Sequence, residues 1–383
     1  MNKISNFAVF TILLVSSLTI MVGTVIAPSL SGIVKHTDFS LSPSWLITLP
    51  SLGVVVFAPI IGRLINKLGN FKLLCLGLVP YGILGILGAY ITNDYLLIID
   101  RFLLGGATVA VQVSITGFIA DLFTGEKRMK MVTWQVMSIE FGGVLFLAVG
   151  GILGQMHWQY PFFIYLVALV CVLFVTLTLP KKTPKPEEKA EEITTAKTSQ
   201  FKVKIIFSAA LLAMMLFFVG FVTLPLYLPE SFDFTESKTG FYMAFISLMT
   251  IVTASQMPKL VKRIGDGKTV ALGFIFFMLG YVVLAATSSF LLLIVAAIFI
   301  GIGFGFTIPL LTHMMIEVSN LQNQGKNLSL LSMGIFGGQF LSTFIEYISD
   351  NYQAVYGISA GFALIISGVI YYLFQKLTKS EVA

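Results

Sequence analysis

Twelve windows of roughly 20 predominantly apolar residues recur along this chain, each long enough to carry an α-helix across a hydrocarbon layer about 30 Å thick. They lie near 6–28, 42–65, 73–92, 95–121, 130–154, 160–180, 203–229, 237–261, 269–288, 290–317, 326–349 and 353–376. A membrane barrel would instead show segments of about ten residues alternating in polarity, and none appear. With 57% hydrophobic residues, 11% charged residues and a mean hydropathy of +0.93, the composition lies outside the soluble range. The expected fold is an all-α membrane protein with twelve transmembrane helices.

Basic residues set the orientation, because cytoplasmic loops retain Lys and Arg. With the N-terminus inside, 21 of the 24 basic residues fall on the inner side, only Lys35 and Lys238 lie outside, and Arg101 remains within the membrane. Both termini are then cytoplasmic, in a multi-pass protein of the cell membrane. The net charge of +6 reflects this topology and implies no nucleic-acid partner. The first window has no small-residue cleavage site after it and reads as a retained helix. Cys75 and Cys171 sit in apolar spans and suggest neither a disulfide nor a metal site.

Between the sixth and seventh windows runs "KKTPKPEEKAEEITTAKTSQFK", a polar stretch without apolar periodicity. It divides the chain into a six-helix bundle at 1–180, a cytoplasmic linker at 181–202 and a second six-helix bundle at 203–383. The halves repeat each other. "VGTVIAP" from Val22 recurs as "VGFVTLP" from Val219, "GRLINKLGNFK" from Gly62 recurs as "PKLVKRIGDGK" from Pro258, and "LLGGA" near Gly105 meets "FIGIG" near Gly301. The offset is 196 or 197 residues each time, which indicates duplication with parallel repeats related by a pseudo-two-fold axis, a plan found chiefly in transporters. Asp100 and Arg101 align with Ala296 and Ala297, and Glu140 aligns with about Ile335, so only the first half carries charge within the membrane.

"GRLINKLGNFK" resembles the signature G-x-L-x-D-R-x-G-R-x-x of the major facilitator superfamily. "DRFLLGGA", "ADLFTGEKR" and "GGILGQMHWQYPFF" extend the resemblance over nearly the whole chain. Within that superfamily the chain is similar to the twelve-helix drug:proton antiporters. The resemblance implies that Arg101 serves proton coupling and that the loop holding Gly62, Asn66, Lys67 and Gly69 controls the swing between states. Two departures stand out: Asn66 replaces the signature's acid, and Phe146 and Leu147 replace the Gly-Pro of the fifth-span antiporter signature.

On a helix Arg101 shares its face with Gly105, Thr108 and Gln112, a small polar stripe suited to a central cavity. Adjacent residues point about 100° apart, so Asp100 and Arg101 are not expected to pair with each other. Charge at the bilayer centre costs roughly 2.5–3.5 kcal/mol on the lenient insertion scale, so Arg101 needs a partner. Glu140, about ten residues into the fifth span, is the expected one. Arg101, Glu140 and Asp100 are therefore the proton-coupling candidates, with Gln256 and Gln339 as further cavity amides. Lys67 and Arg128 are expected to bond Asp121 and the end of the eleventh helix in one state and release them in another. His313 and Glu317, four residues apart, are too few ligands for a metal and read as a hydrogen bond at the inner end of their helix. Glu346 falls at the outer edge of its span.

These features point to a proton-coupled secondary exporter of small amphipathic compounds or drugs, working by alternating access as a monomer and needing no cofactor. A second reading is export of a self-made metallophore, siderophore or metabolite, with Arg101 holding an anionic group. An enzyme is disfavoured by the lack of a phosphate-binding Gly-Lys loop, a plausibly placed Ser-His-Asp set or a soluble domain.

Overall fold

Residues 5–37, 39–181, 200–319 and 323–382 are described by a computed structural model. Every regular element among them is helical. The expected connector at 181–202 lies almost entirely outside the described residues, as does the side chain of Glu346.

The first elements are α1 (Asn6–Thr24), a 3₁₀ turn (Ala27–Ser29) and α2 (Leu30–Thr37), followed by α3 (Trp45–Leu87). Next come α4 (Asp94–Leu122), α5 (Gly125–Met156), α6 (Tyr160–Phe163) and α7 (Leu166–Thr178). After the connector follow α8 (Gln200–Phe232), α9 (Glu236–Ile264), α10 (Asp266–Ala286) and α11 (Phe290–Glu317). The chain ends with α12 (Gln324–Leu341), a 3₁₀ stretch (Ser342–Ile348) and α13 (Tyr352–Val382).

Among the described residues, eleven helices are long and apolar enough to cross a membrane. The difference from the twelve apolar windows lies in α3, whose 43 residues would span about 65 Å, twice a bilayer's hydrocarbon. Gly69, at φ 74 and ψ 167, breaks it into two arms that carry the windows at 42–65 and 73–92. Only glycine enters this backbone region without strain. Gly265 stands 196 residues later, between α9 and α10, with φ 84 and ψ 165. The repeated motif thus keeps the same backbone joint in both copies.

The chain clusters into two compact units, Met1–Glu192 with Phe234–Ala244, and Ile193–Asp233 with Phe245–Ala383. In the first unit α3 and α4 cross so closely that a Cβ on Gly105 would lie 2.0 Å from the Pro50 carbonyl oxygen, and one on Gly77 would lie 3.0 Å from the Val111 amide nitrogen. In the second unit a Cβ on Gly301 would lie 2.8 Å from the Ile246 carbonyl oxygen, and one on Gly273 would lie 2.6 Å from Thr307 Cγ2. All four pairs of positions are 196 residues apart. Small residues let membrane helices approach to backbone contact, where van der Waals packing replaces the hydrophobic drive that lipid cancels. Each unit also braces its first long helix with a tyrosine. Tyr81 donates to the Leu18 carbonyl of α1 at 2.6 Å, and Tyr281 donates to the Leu216 carbonyl of α8.

Within the first unit, the opening turns of α9 rest on α5: a Cβ on Gly240 would lie 2.5 Å from the Leu147 carbonyl oxygen and 3.0 Å from Gly151 Cα. This contact fixes which face of α5 carries Leu147 and Gly151.

Candidate functional site

Helix α4 starts at Asn93, whose side chain accepts a bond from the Leu96 amide, and Arg101 follows two turns later. Arg101 is 0% exposed. Its guanidinium donates twice to Asp100 Oδ2, from Nε at 2.9 Å and from Nη2 at 2.6 Å. Nη2 also donates to the Leu84 carbonyl of α3 at 2.8 Å. The rings of Phe162 and Tyr165 lie 5.6 and 5.9 Å from Cζ, within cation–π range. The Tyr165 hydroxyl donates to the Val22 carbonyl of α1 at 2.7 Å, so its ring is fixed from behind. On the α3 side two glycines make room: a Cβ on Gly88 would lie 2.5 Å from Nη2, and one on Gly85 would lie 2.1 Å from the Tyr165 ring.

This geometry corrects the expectation that Asp100 and Arg101 point apart. Their Cβ directions do diverge, but the long arginine stem curls around the helix until its fork meets the neighbouring carboxylate. Burial drives the pairing, since an uncompensated charge here has no water to fall back on. The geometry also corrects the polar-stripe reading of α4. Arg101 is enclosed by α3, α6 and α7, Gly105 packs on Pro50, and Thr108 is fully buried with its hydroxyl on the Leu104 carbonyl at 2.8 Å. Gln112 alone of that stripe is half-buried.

Glu140 does not meet Arg101. On α5, Ser138 donates to the Leu13 carbonyl of α1 at 2.7 Å, and Gly142 packs on Ser17. At about 100° per residue Glu140 faces away from that seam, along the stripe of Leu147 and Gly151 that meets α9. It is half-buried, and it has no hydrogen bond or ion pair among the described residues. The expected triad therefore divides into a closed Asp100–Arg101 pair and a separate, unpartnered carboxyl.

The remaining amides occupy different surroundings. Gln256 is exposed, donating to Ser255 at 3.1 Å and accepting from Lys259 at 3.0 Å, which places it with basic residues rather than in an apolar cavity. Gln339 is buried. Gln135, which the motifs did not single out, is buried on α5 and donates to Thr116 of α4 at 3.2 Å.

At the kink of α3, Gly62, Asn66, Lys67 and Gly69 are exposed, and Asn66 donates only to the Gly62 carbonyl one turn back, at 3.4 Å. The expected bonds from Lys67 and Arg128 to Asp121 are absent among the described residues. Instead Asn70 Nδ2 donates to Asp121 Oδ2 at 2.7 Å, with Gly117 pressed beneath the amide. Asn70 was not among the expected gate residues, although it stands at the second Arg position of the loop signature in "GRLINKLGNFK", a further departure that could have pointed to it. Lys67 and Arg128 extend into solvent, where hydration competes with any surface pair. His313 and Glu317 approach to 3.6 Å, about 60% exposed, and no cluster of three metal-ligating side chains occurs among the described residues.

Glycine crossings that recur at one offset in both units of a helical membrane scaffold are a plan found chiefly in membrane transporters. The Major Facilitator Superfamily model matches residues 12–343 and 206–382, and the chain belongs to that family. It is thus a multi-pass membrane transporter, not an enzyme. Among its relatives, Multidrug resistance protein 2 of Bacillus subtilis (strain 168) is 24% identical over 94% of this chain and 93% of its own. The class B tetracycline resistance protein of Escherichia coli is 26% identical over 75% and 73%. Quinolone resistance protein NorA of Staphylococcus aureus is 21% identical over 88% of each chain. Among solved structures, the peptide transporter POT in complex with sulfate has a TM-score of 0.78 at 14% identity, covering 96% of this chain and 94% of its own. The nucleoside transporter NupG has a TM-score of 0.74 at 14% identity, covering 97% and 99%. These last two bear on the fold alone.

Proposed function

We propose that this chain is a proton-coupled antiporter that exports small amphipathic compounds or drugs across the cell membrane by alternating access. The efflux relatives support export of drug-like solutes, and the isolation of Glu140 is the observation that carries the coupling. Asp100 and Asp121 are held by hydrogen bonds and Glu317 is exposed, while Glu140 sits half-buried in a membrane span with no cation against it among the described residues. Such a carboxyl takes up a proton or a cationic substrate in turn, because two positive species cannot share one negative site. One proton then enters as one substrate leaves. Twelve spans in two six-helix bundles at 1–180 and 203–383, a pseudo-two-fold axis, cytoplasmic termini and a monomeric protein complete this reading, with Gln112 and Gln339 as cavity candidates and the kink of α3 as the gate.

The alternative, in which Arg101 grips the anionic group of a metallophore or metabolite, is not favoured. Arg101 is fully enclosed and its charge is already matched by Asp100. The test is expression in an efflux-deficient host exposed to a panel of compounds, with and without a collapsed proton gradient. Export that collapses with the gradient in the parent chain, and is lost in Glu140→Gln vesicles, is expected. Export indifferent to the gradient rejects the coupling.

A further inference from the structure

Two of the chain's three histidines stand together at the end of the first unit opposite the Lys67 loop. The His36 ring lies 5.9 Å from Trp158, and His157 lies 6.1 Å from Trp158 and 5.2 Å from Tyr160. Their hydrogen bonds differ in sense. His36 Nδ1 contacts the Gly32 carbonyl at 2.8 Å, and a carbonyl only accepts, so Nδ1 carries the proton and Nε2 remains available. His157 Nδ1 is 3.3 Å from the Gln159 amide, and an amide N–H only donates, so Nδ1 must be the bare nitrogen. Adding a proton to His36 leaves its bond intact. Adding one to His157 places N–H against N–H.

The bond that would be lost sits at a joint. His157 ends α5 in extended backbone, its carbonyl accepts from the Tyr160 amide at 3.0 Å, and the Gln159 side chain donates to the Ala89 carbonyl beyond α3 at 2.8 Å. From this turn springs α6, whose Phe162 covers the Arg101 guanidinium. Neighbouring elements bring Lys35 on α2, Tyr90 beyond α3, Asp94 heading α4 and bonded by Ser40, Tyr160 on α6, and Glu236 in the first turn of α9, its carboxyl against Gly32. None of these carboxyls comes within 4.0 Å of either imidazole among the described residues. His157 is itself exposed to the medium.

We propose that His157 is a proton-binding site, separate from Glu140, at which protonation breaks the Nδ1–Gln159 bond and loosens the α5–α6 turn that backs the Arg101 cage. An asparagine at the same position offers an oxygen that accepts the amide two residues on and does not titrate.

The test is hydrogen–deuterium exchange of the segment 158–163 in the purified full chain at pH 8 and pH 5, corrected for intrinsic exchange. In the parent and in His36→Gln, protection at pH 5 should fall by roughly 2- to 10-fold, the equivalent of one net hydrogen bond. His157→Asn should stay protected at both pH values, and His157→Ala unprotected at both. Equal protection of the parent at both pH values overturns the proposal, as does loss of protection by His157→Asn in acid. Should His157→Ala fail to fold, the comparison of parent with His157→Asn still decides.

Discussion

The Asp100–Arg101 pair sets a specific expectation about which single changes the chain tolerates. Asp100→Asn leaves a buried guanidinium with no counter-charge, a loss of roughly 3–5 kcal/mol for broken buried pairs. Sharply reduced yield of folded protein on size-exclusion chromatography is expected. Replacing both residues together, as Asp100→Asn with Arg101→Gln, removes charge from both sides and should recover most of that yield. Glu140→Gln should leave folding untouched, because it removes a charge that nothing holds, and should abolish only gradient-driven export in vesicles. The sequence made all three charges visible, since a charge inside an apolar window is conspicuous. It did not make the pairing visible. Helix periodicity describes where Cβ atoms point, while an arginine head lies several bonds further out and goes where the nearest compensating group is.

Among the elements, the glycine crossings divide into positions that must be empty and positions that need not be. Gly105→Leu would drive a side chain into the Pro50 carbonyl, and Gly301→Leu into that of Ile246, whereas Gly357 and Gly361 have nothing within 4 Å of a Cβ. Thermal unfolding followed by light scattering should show the first two variants markedly destabilised and Gly361→Leu close to the parent. At the kink of α3, Gly69→Ala places a Cβ in a backbone region that is essentially reserved for glycine, φ 74 and ψ 167, at a cost of about 1–3 kcal/mol, read as a drop in the same assay. Span positions were legible from apolar length because bilayer thickness dictates it. That α3 would run on through the loop motif was not, because a short connection between two spans carries no apolar signal to distinguish a kinked helix from a turn. The Asn70–Asp121 bond was half legible: the motif located both residues, but charge drew attention to Lys67 and Arg128, which reach solvent, over an amide that is buried.

For the molecule as a whole, the repeat preserves backbone geometry and discards charge. The joints at Gly69 and Gly265 and the crossings at Gly105 and Gly301 recur 196 residues apart, while the fully buried Ala296 and Ala297 stand where the first copy has Asp100 and Arg101. Packing is what both copies share, and the ion pair is an addition to one of them. Ala297→Arg should therefore fold poorly, because the second unit has alanine where the first supplies the matching carboxylate. Ala296→Asp introduced alongside it should restore part of the loss, read as folded protein in detergent extracts. The correspondence of Gly69 with Gly265 and of Gly105 with Gly301 was legible from motif matches at a nearly constant offset. How the pair is enclosed was not, since Leu84, Phe162 and Tyr165 come from windows with no distinguishing pattern of their own.

The placement of the counter-charge on the very next residue has a bearing on how the protein is made. A charge compensated by α5 would have to enter the membrane unneutralised and wait for a later segment to emerge from the ribosome. Asp100 and Arg101 leave the ribosome together and enter on one helix, so α4 can partition into lipid with its two charges already cancelled. Helix α3, made before it, and α6 and α7, made after it, then enclose a neutral group.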